Sequence, residues 1–177
     1  MSNLFQKLEV EAFRAGITPR TKESVEWFRK KAAQLGRVSP TKVMRDEQIK
    51  LTSTLKKDPL GNMYMFYYDP KHAAKLPYYD KFPLIIMYGP AEGGFYGLNL
   101  HYMPPVLRAK VLDAFLGGEG IPKKYINPMI KHYLLSHVRS RFALVDKPEW
   151  EIATFLPTAQ WEKQGASKVY SDTRKML

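Results

Sequence analysis

PLIIMYGPAEGGFYGLNLHY, residues 83–102, is the stretch that decides the fold. LIIMYG (84–89) and FYGLNLHY (95–102) are apolar and aromatic runs of strand length. GPAEGG (89–94), between them, has the composition of a turn. Together they predict a β-hairpin. Just upstream, MYMFYY (63–68) has the same character and predicts a third strand beside it. Eight of the eleven tyrosines fall between Tyr64 and Tyr102, so the sheet is expected in the middle of the chain.

On either side the spacing turns helical. Residues 3–15 carry Leu4, Leu8 and Ala12 on one stripe, with Ser2 as N-cap and Gly16 as stop. Thr18-Pro19 is the start signal of a helix reaching Leu35, with Val25, Phe28, Ala32 and Leu35 inward and Gly36 ending it. Ser39-Pro40 repeats that signal for a short helix to Glu47. Beyond the hairpin, residues 106–116 form a helix stopped by Gly117-Gly118. Asn127-Pro128 opens another, with Ile130, Leu134 and Val138 inward. ALV (143–145) and EIATFLP (151–157) are expected to be short strands turned by Asp146-Lys147-Pro148. Residues 158–177 are polar and basic, with helical character near Trp161.

Helices, strands, helices and a strand pair in that order specify an α+β fold. The expectation is a small antiparallel sheet or compact β-barrel packed by N-terminal and C-terminal helices. At 177 residues it is read as a single domain: a basic helical part (1–57), a part with sheet and helices (58–165) and a basic tail (166–177). The N-terminus lacks the basic and apolar regions of a signal peptide, and no apolar run is long enough to cross a bilayer. A soluble protein with no membrane partner is expected. No cysteine is present, which excludes disulfides and thiolate-bound zinc.

Charge is the strongest compositional signal. Lys and Arg number 28 against 17 Asp and Glu, a net +11. Between Arg14 and Lys57 twelve basic residues face four acids, so +8 of that excess sits in one quarter of the chain. A field of one sign attracts polyanions. The residues expected to contact phosphate are Arg29, Lys30, Lys31, Arg37, Lys42, Arg45, Lys50, Lys56 and Lys57. Arg139 and Arg141, in HVRSRF (137–142), join them. A merely solvated basic surface is the plain alternative.

Tyr64, Phe66, Tyr68, Phe95 and Tyr96 have the chemistry to stack on bases. Strand alternation buries half of such residues whatever the function. Basic residues are not interleaved with them, which favours backbone contact over base reading.

No catalytic or cofactor-binding constellation is legible. GGEG (117–120) and EGGFYG (92–97) lack the spacing and the Lys-Ser/Thr of a phosphate loop. His72, His101, His132 and His137 match no zinc pattern. Asp58, Asp69 and Asp80 are of the right type for a metal-dependent nuclease but form no cluster in sequence, and two of them precede proline. A non-enzymatic protein without metal or cofactor is expected.

Three stretches carry a family resemblance: YDPKHAAKLPYYDKFPLI (68–85), GGFYGLNLHYMPPVLRAKVLD (93–113) and HVRSRFALVDKPEWEIATFLPTAQWEK (137–163). Together they resemble small virion-associated proteins of large contractile-tailed bacteriophages, most of all the DNA end-protector group. The resemblance spans roughly residues 60–165 and leaves the basic N-terminal third unmatched. It implies a protein that rides on the ends of packaged linear double-stranded DNA and shields them from host exonuclease. It also implies a place in the virion, then in the host cytoplasm during assembly and after DNA entry, beside other phage virion proteins. A structural component of the head, neck, tail or baseplate is the second reading. No individual binding residue carries over from the resemblance.

Overall fold

The computed structural model describes residues 4–35, 39–45, 50–52, 61–118 and 121–177. Three helices come first: α1 (Leu4–Arg14), α2 (Lys22–Leu35) and α3 (Pro40–Arg45). Strands β1 (Lys50–Thr52), β2 (Met63–Met65), β3 (Tyr79–Asp80), β4 (Leu84–Ala91) and β5 (Gly94–Asn99) follow. The rest comprises α4 (Pro105–Leu116), α5 (Lys123–Ile126), β6 (Ile130–Leu134), β7 (Phe142–Val145), α6 (Trp150–Phe155), β8 (Trp161–Glu162) and α7 (Ala166–Met176). Six strands form one open sheet in the order β1-β7-β2-β4-β5-β6, antiparallel at every pairing. β3 and β8 make a separate two-stranded ribbon. The fold is α+β, and of the two expected arrangements it takes the antiparallel sheet.

The hairpin and the neighbouring strand lie within the aromatic runs but differ in extent: β2 stops at Met65, β4 runs on through Ala91, and β5 stops at Asn99, where Leu100–Tyr102 turns into a 3₁₀ helix. The turn is Glu92-Gly93, and Gly93 supplies the positive φ of 69° that it needs. Strand alternation then sorts the side chains with a period of two. Met63, Met65, Leu84, Ile86, Leu98, Ala143 and Val145 point to one face, under Leu8, Phe28, Ala109, Leu112, Trp150 and Phe155 of the helices. Tyr64, Phe66, Ile85, Met87, Phe95, Tyr133, Phe142 and Leu144 point to the other.

The aromatic face is covered by the molecule's own sheet. β2 and β6 are separated by two strands, so on a flat sheet they would lie about 14 Å apart. Yet the chain just beyond β2 pairs with the chain just beyond β6 through a Tyr68–Val138 bridge. Asp69 N donates to His137 O and Arg139 N to Tyr67 O on either side of it. The sheet must therefore curl, and the curl brings Phe66 within 5.4 Å of Tyr133 and 5.8 Å of Phe95, ring centre to ring centre. Edge-to-face geometry at Phe66–Tyr133 matches the opposed charge of ring edge and ring face.

Two segments take the opposite structure to the one their spacing suggests. Residues 130–134 were expected to be helical and form β6. Ile130, Leu134 and Val138 have helical spacing, but Ile130 and Tyr133 also alternate across a strand, and five register pairs with β5 decide the matter. Asn127-Pro128 opens only a single 3₁₀ turn. Conversely, EIATFLP was expected to be a strand, yet Trp150–Phe155 is helix α6. Pro148 in the preceding turn and Glu149 and Glu151 at the helix start are the N-terminal signals that explain it.

Smaller differences follow local chemistry. α2 begins at Lys22, because Thr21 and Ser24 cap each other reciprocally, each side-chain oxygen accepting from the other's N–H. Leu35 is exposed at 44%, not inward. The helix near the C-terminus is Ala166–Met176, while Trp161 lies on β8. Ser2 and Gly36 lie outside the described residues.

One close approach makes a test. A Cβ added at Gly94 would stand 1.8 Å from the Tyr133 carbonyl oxygen across the β5–β6 pair. Gly94→Ala is expected to cost about 1–3 kcal/mol of stability, as over-packing does. A urea midpoint equal to wild type would contradict that β5–β6 pairing.

Candidate nucleic-acid interface

The basic residues fall into two regions. Arg29 and Lys30 are exposed on α2, opposite the buried Phe28, and among the described residues neither has an ion-pair partner. Lys31 differs from both: its Nζ pairs with Glu11 at 2.8 Å and lies 5.3 Å from the Trp27 ring centre. Its charge is partly engaged in holding α1 to α2.

The second region is assembled by tertiary contacts. β1, which carries Lys50, pairs with β7, whose first residue follows Arg141. α3, which carries Lys42 and Arg45, is tied to Tyr67 by a 3.1 Å Thr41–Tyr67 hydroxyl contact. Tyr67 N in turn donates to Ser140 Oγ, between the two arginines. The backbone of α3, β1 and the 139–141 turn is thus gathered on one side of the sheet. Arg139 is exposed, donates to Ser136 O and stands 3.8 Å from Asp69. Arg141 is exposed without a partner among the described residues. The side chains of Lys42, Arg45 and Lys50 are not described, and Arg37, Lys56 and Lys57 lie outside the described residues.

Tyr64, Phe66, Tyr68 and Phe95 are buried, at 7% exposure or less. They are core, and only Tyr96, at 40%, could meet a base.

Sequence gave no hint of the buried polar network below the sheet edge. Asp80 Oδ2 lies 2.6 Å from His101 Nδ1, and His101 Nε2 lies 3.0 Å from Thr158 Oγ1. Asp80 also accepts from the N–H groups of Phe82 and Gln160 and from Asn99 Nδ2. Below it, Arg108 is 2% exposed and donates to the carbonyls of Met103, Thr154 and His101 and to the Tyr170 hydroxyl. Residues 21 and 57 positions apart carry no spacing signal, so only the fold could reveal them.

Burial opposes the Asp80 charge, but His101 and the two backbone donors outweigh it and hold the carboxyl below its ordinary range. Burial likewise lowers His101 against the raising effect of Asp80. At neutral pH the pair is an ionised Asp80 and a neutral His101. Nδ1–H then donates to the carboxylate, and Nε2 accepts from Thr158. The order Asp-His-Thr follows that of a relay activating a hydroxyl nucleophile. Here Asp80, His101 and Thr158 are 4%, 0% and 0% exposed, so the hydroxyl is sealed within the protein. Among the described residues no three His, Asp or Glu side chains come together as metal ligands. Among them, too, no helix is long and apolar enough to cross a membrane.

A family model described as Phage T4 terminal DNA protecting protein matches residues 5–124. The chain belongs to that family. The match agrees with the resemblance over 60–124 and extends it in one respect. It takes in the basic N-terminal third, which the resemblance left out, and so places the charge-rich helices within the family's own pattern. No curated protein and no solved structure matches the chain.

The network also sets how this end-protector family member should respond to acid. Both groups bind protons more readily when unfolded, so stability falls as pH falls. The loss starts through the ordinary histidine range near 6.5 and continues below the ordinary carboxylate value of 3.8 as Asp80 protonates. Asp80→Asn is expected to cost about 3 kcal/mol at pH 7 and, by removing the carboxylate that raises His101, to steepen the loss of stability between about pH 6.5 and pH 4. Thermal melts between pH 4 and 8 that superimpose for wild type and variant would contradict this.

Proposed function

We propose that this protein binds the ends of linear double-stranded DNA packaged in a phage virion, without reading sequence, and shields them from exonuclease. It acts as a stoichiometric cover, not as an enzyme, beside other virion proteins, and enters the host cytoplasm with the DNA. The observation that carries the proposal is the coincidence of family and charge: the matched residues 5–124 contain the whole +8 window. Exposed Arg29, Lys30, Arg139 and Arg141 support it, since phosphate contact by Lys and Arg releases counterions from any sequence alike. The buried aromatics support the absence of base reading.

One feature favours the second reading, a structural subunit. Phe13 is 83% exposed beside an apolar groove of about 850 Å³ between α1, α4 and α6. Such a surface suits a protein partner. The two readings separate when virions are examined before and after DNA ejection: an end protector leaves with the DNA, and a subunit stays in the shell.

In solution, affinity for linear duplex should fall steeply with salt, with a log–log slope of roughly −5 if six phosphates are neutralised. Arg29→Glu, Lys30→Glu and Arg141→Glu together should weaken binding to every sequence alike and remove exonuclease protection, while the melting temperature holds. Unchanged affinity in the folded triple variant would sink this assignment of the interface. Incubation with Mg²⁺ should leave the DNA intact. Reproducible cleavage would sink the non-enzymatic reading.

A further inference from the structure

Lys131 lies on β6, on the same face of the sheet as Tyr133, and burial alone lowers its pKa. Its Nζ stands 4.3 Å from the Tyr102 ring centre. Among the described residues no carboxylate and no hydrogen-bond acceptor meets it. The cation–π contact engages the charge through the ring face and leaves the ammonium N–H donors open to solvent or a ligand. Lys131 as a whole is half-buried, so its ammonium keeps a path to solvent.

The unpaired charge stands in the wall of a groove of about 790 Å³, a size that small-molecule sites share. Tyr78, Tyr79 and Tyr102 line the groove above the buried Tyr68, with Lys71 and His72 beside them. Two carboxylates also border it. Asp80 has both oxygens engaged in the buried network, and Glu92 is exposed to solvent. An aromatic lining around a half-buried ammonium is the complement of a planar ring that carries a phosphate. Position adds a second argument. Tyr68 is the bridge partner of Val138, next to Arg139, so the groove adjoins the basic 139–141 turn.

We propose that this groove seats the 5′-phosphorylated terminal nucleotide of a DNA strand, with its phosphate on Lys131 and its base against the tyrosines. The inference rests on the DNA-end reading above and names the group that marks the end. A terminal phosphate monoester carries nearly two charges, where each internal diester carries one. A single lysine set in the groove wall therefore favours a terminus over the interior of the duplex.

The test compares blunt duplexes bearing 5′-phosphate or 5′-hydroxyl ends, and a covalently closed circle, by fluorescence anisotropy. Wild type should prefer the phosphorylated end by about tenfold, the worth of a charge-assisted contact. Lys131→Met should lose that preference and keep wild-type affinity for the circle. Equal affinity of wild type for the two ends, with linear duplex still bound, overturns the groove and leaves DNA binding standing. A wild type that binds no duplex overturns the DNA reading. The groove is then decided by NMR titration of wild type with thymidine 5′-monophosphate, thymidine and inorganic phosphate, which also serves if the variant fails to fold. Saturable shifts at Lys131 and Tyr102 with the monophosphate alone support the site. No shifts, or equal binding of inorganic phosphate, overturn it.

Discussion

The carboxylate of Asp80 is the point from which the lower half of the molecule is built. It takes hydrogen bonds from the segment after β3, from the end of β5 through Asn99 and His101, and from the segment before β8 through Gln160 N. A buried charge costs several kcal/mol unless its lone pairs are met, so these segments must converge together or not at all. His101 then passes the order on. Its carbonyl meets Arg108, whose remaining donors reach the end of α6 at Thr154 and α7 at Tyr170. Three helices, α4, α6 and α7, and two sheets are thereby held in register by polar contacts inside an otherwise apolar interior.

That anchoring and the curl of the main sheet shape the same wall. Asn99 Nδ2 donates to both Asp80 and the Tyr133 hydroxyl, joining the polar network to the aromatic face. The curl brings the chain after β2 against the chain after β6. Between these two constraints Tyr102 is fixed with Trp161 on one side, 4.9 Å away, and Lys131 at 4.3 Å. Tyr68, Asp80, Asn99 and Tyr133 of the groove lining belong to the core. The basic surfaces lie on α2 and around the 139–141 turn, where side chains are free to follow a phosphate backbone.

Division of labour of this kind suits a protein that covers DNA ends. Sequence-independent affinity needs only exposed Lys and Arg, and these can lie on elements whose packing is unrelated to the ligand. Recognition of an end needs a shaped site, which long-range packing alone can supply. The Asp80–His101–Thr158 alignment shows how far geometry by itself can mislead: it has the distances of a catalytic relay and lacks the access.

Composition and local pattern settled a good deal. The hairpin, its neighbouring strand, α1, α2 and α4 follow from short-range signals: aromatic runs, glycine turns, and apolar spacing of three and four. The net charge and its crowding into 14–57 are properties of the chain itself, and they pointed to a polyanionic partner before any fold was known. Tertiary structure decided what local signals left balanced. Residues 130–134 fit a helix or a strand equally well until β5 offered hydrogen-bond partners, whereas the helix at Trp150–Phe155 has local start signals in Pro148, Glu149 and Glu151. Lys131, Asp80 and His101 are unremarkable as letters. Their character comes from desolvation and from neighbours 20 to 80 positions away, and such contacts exist only after the chain has closed on itself.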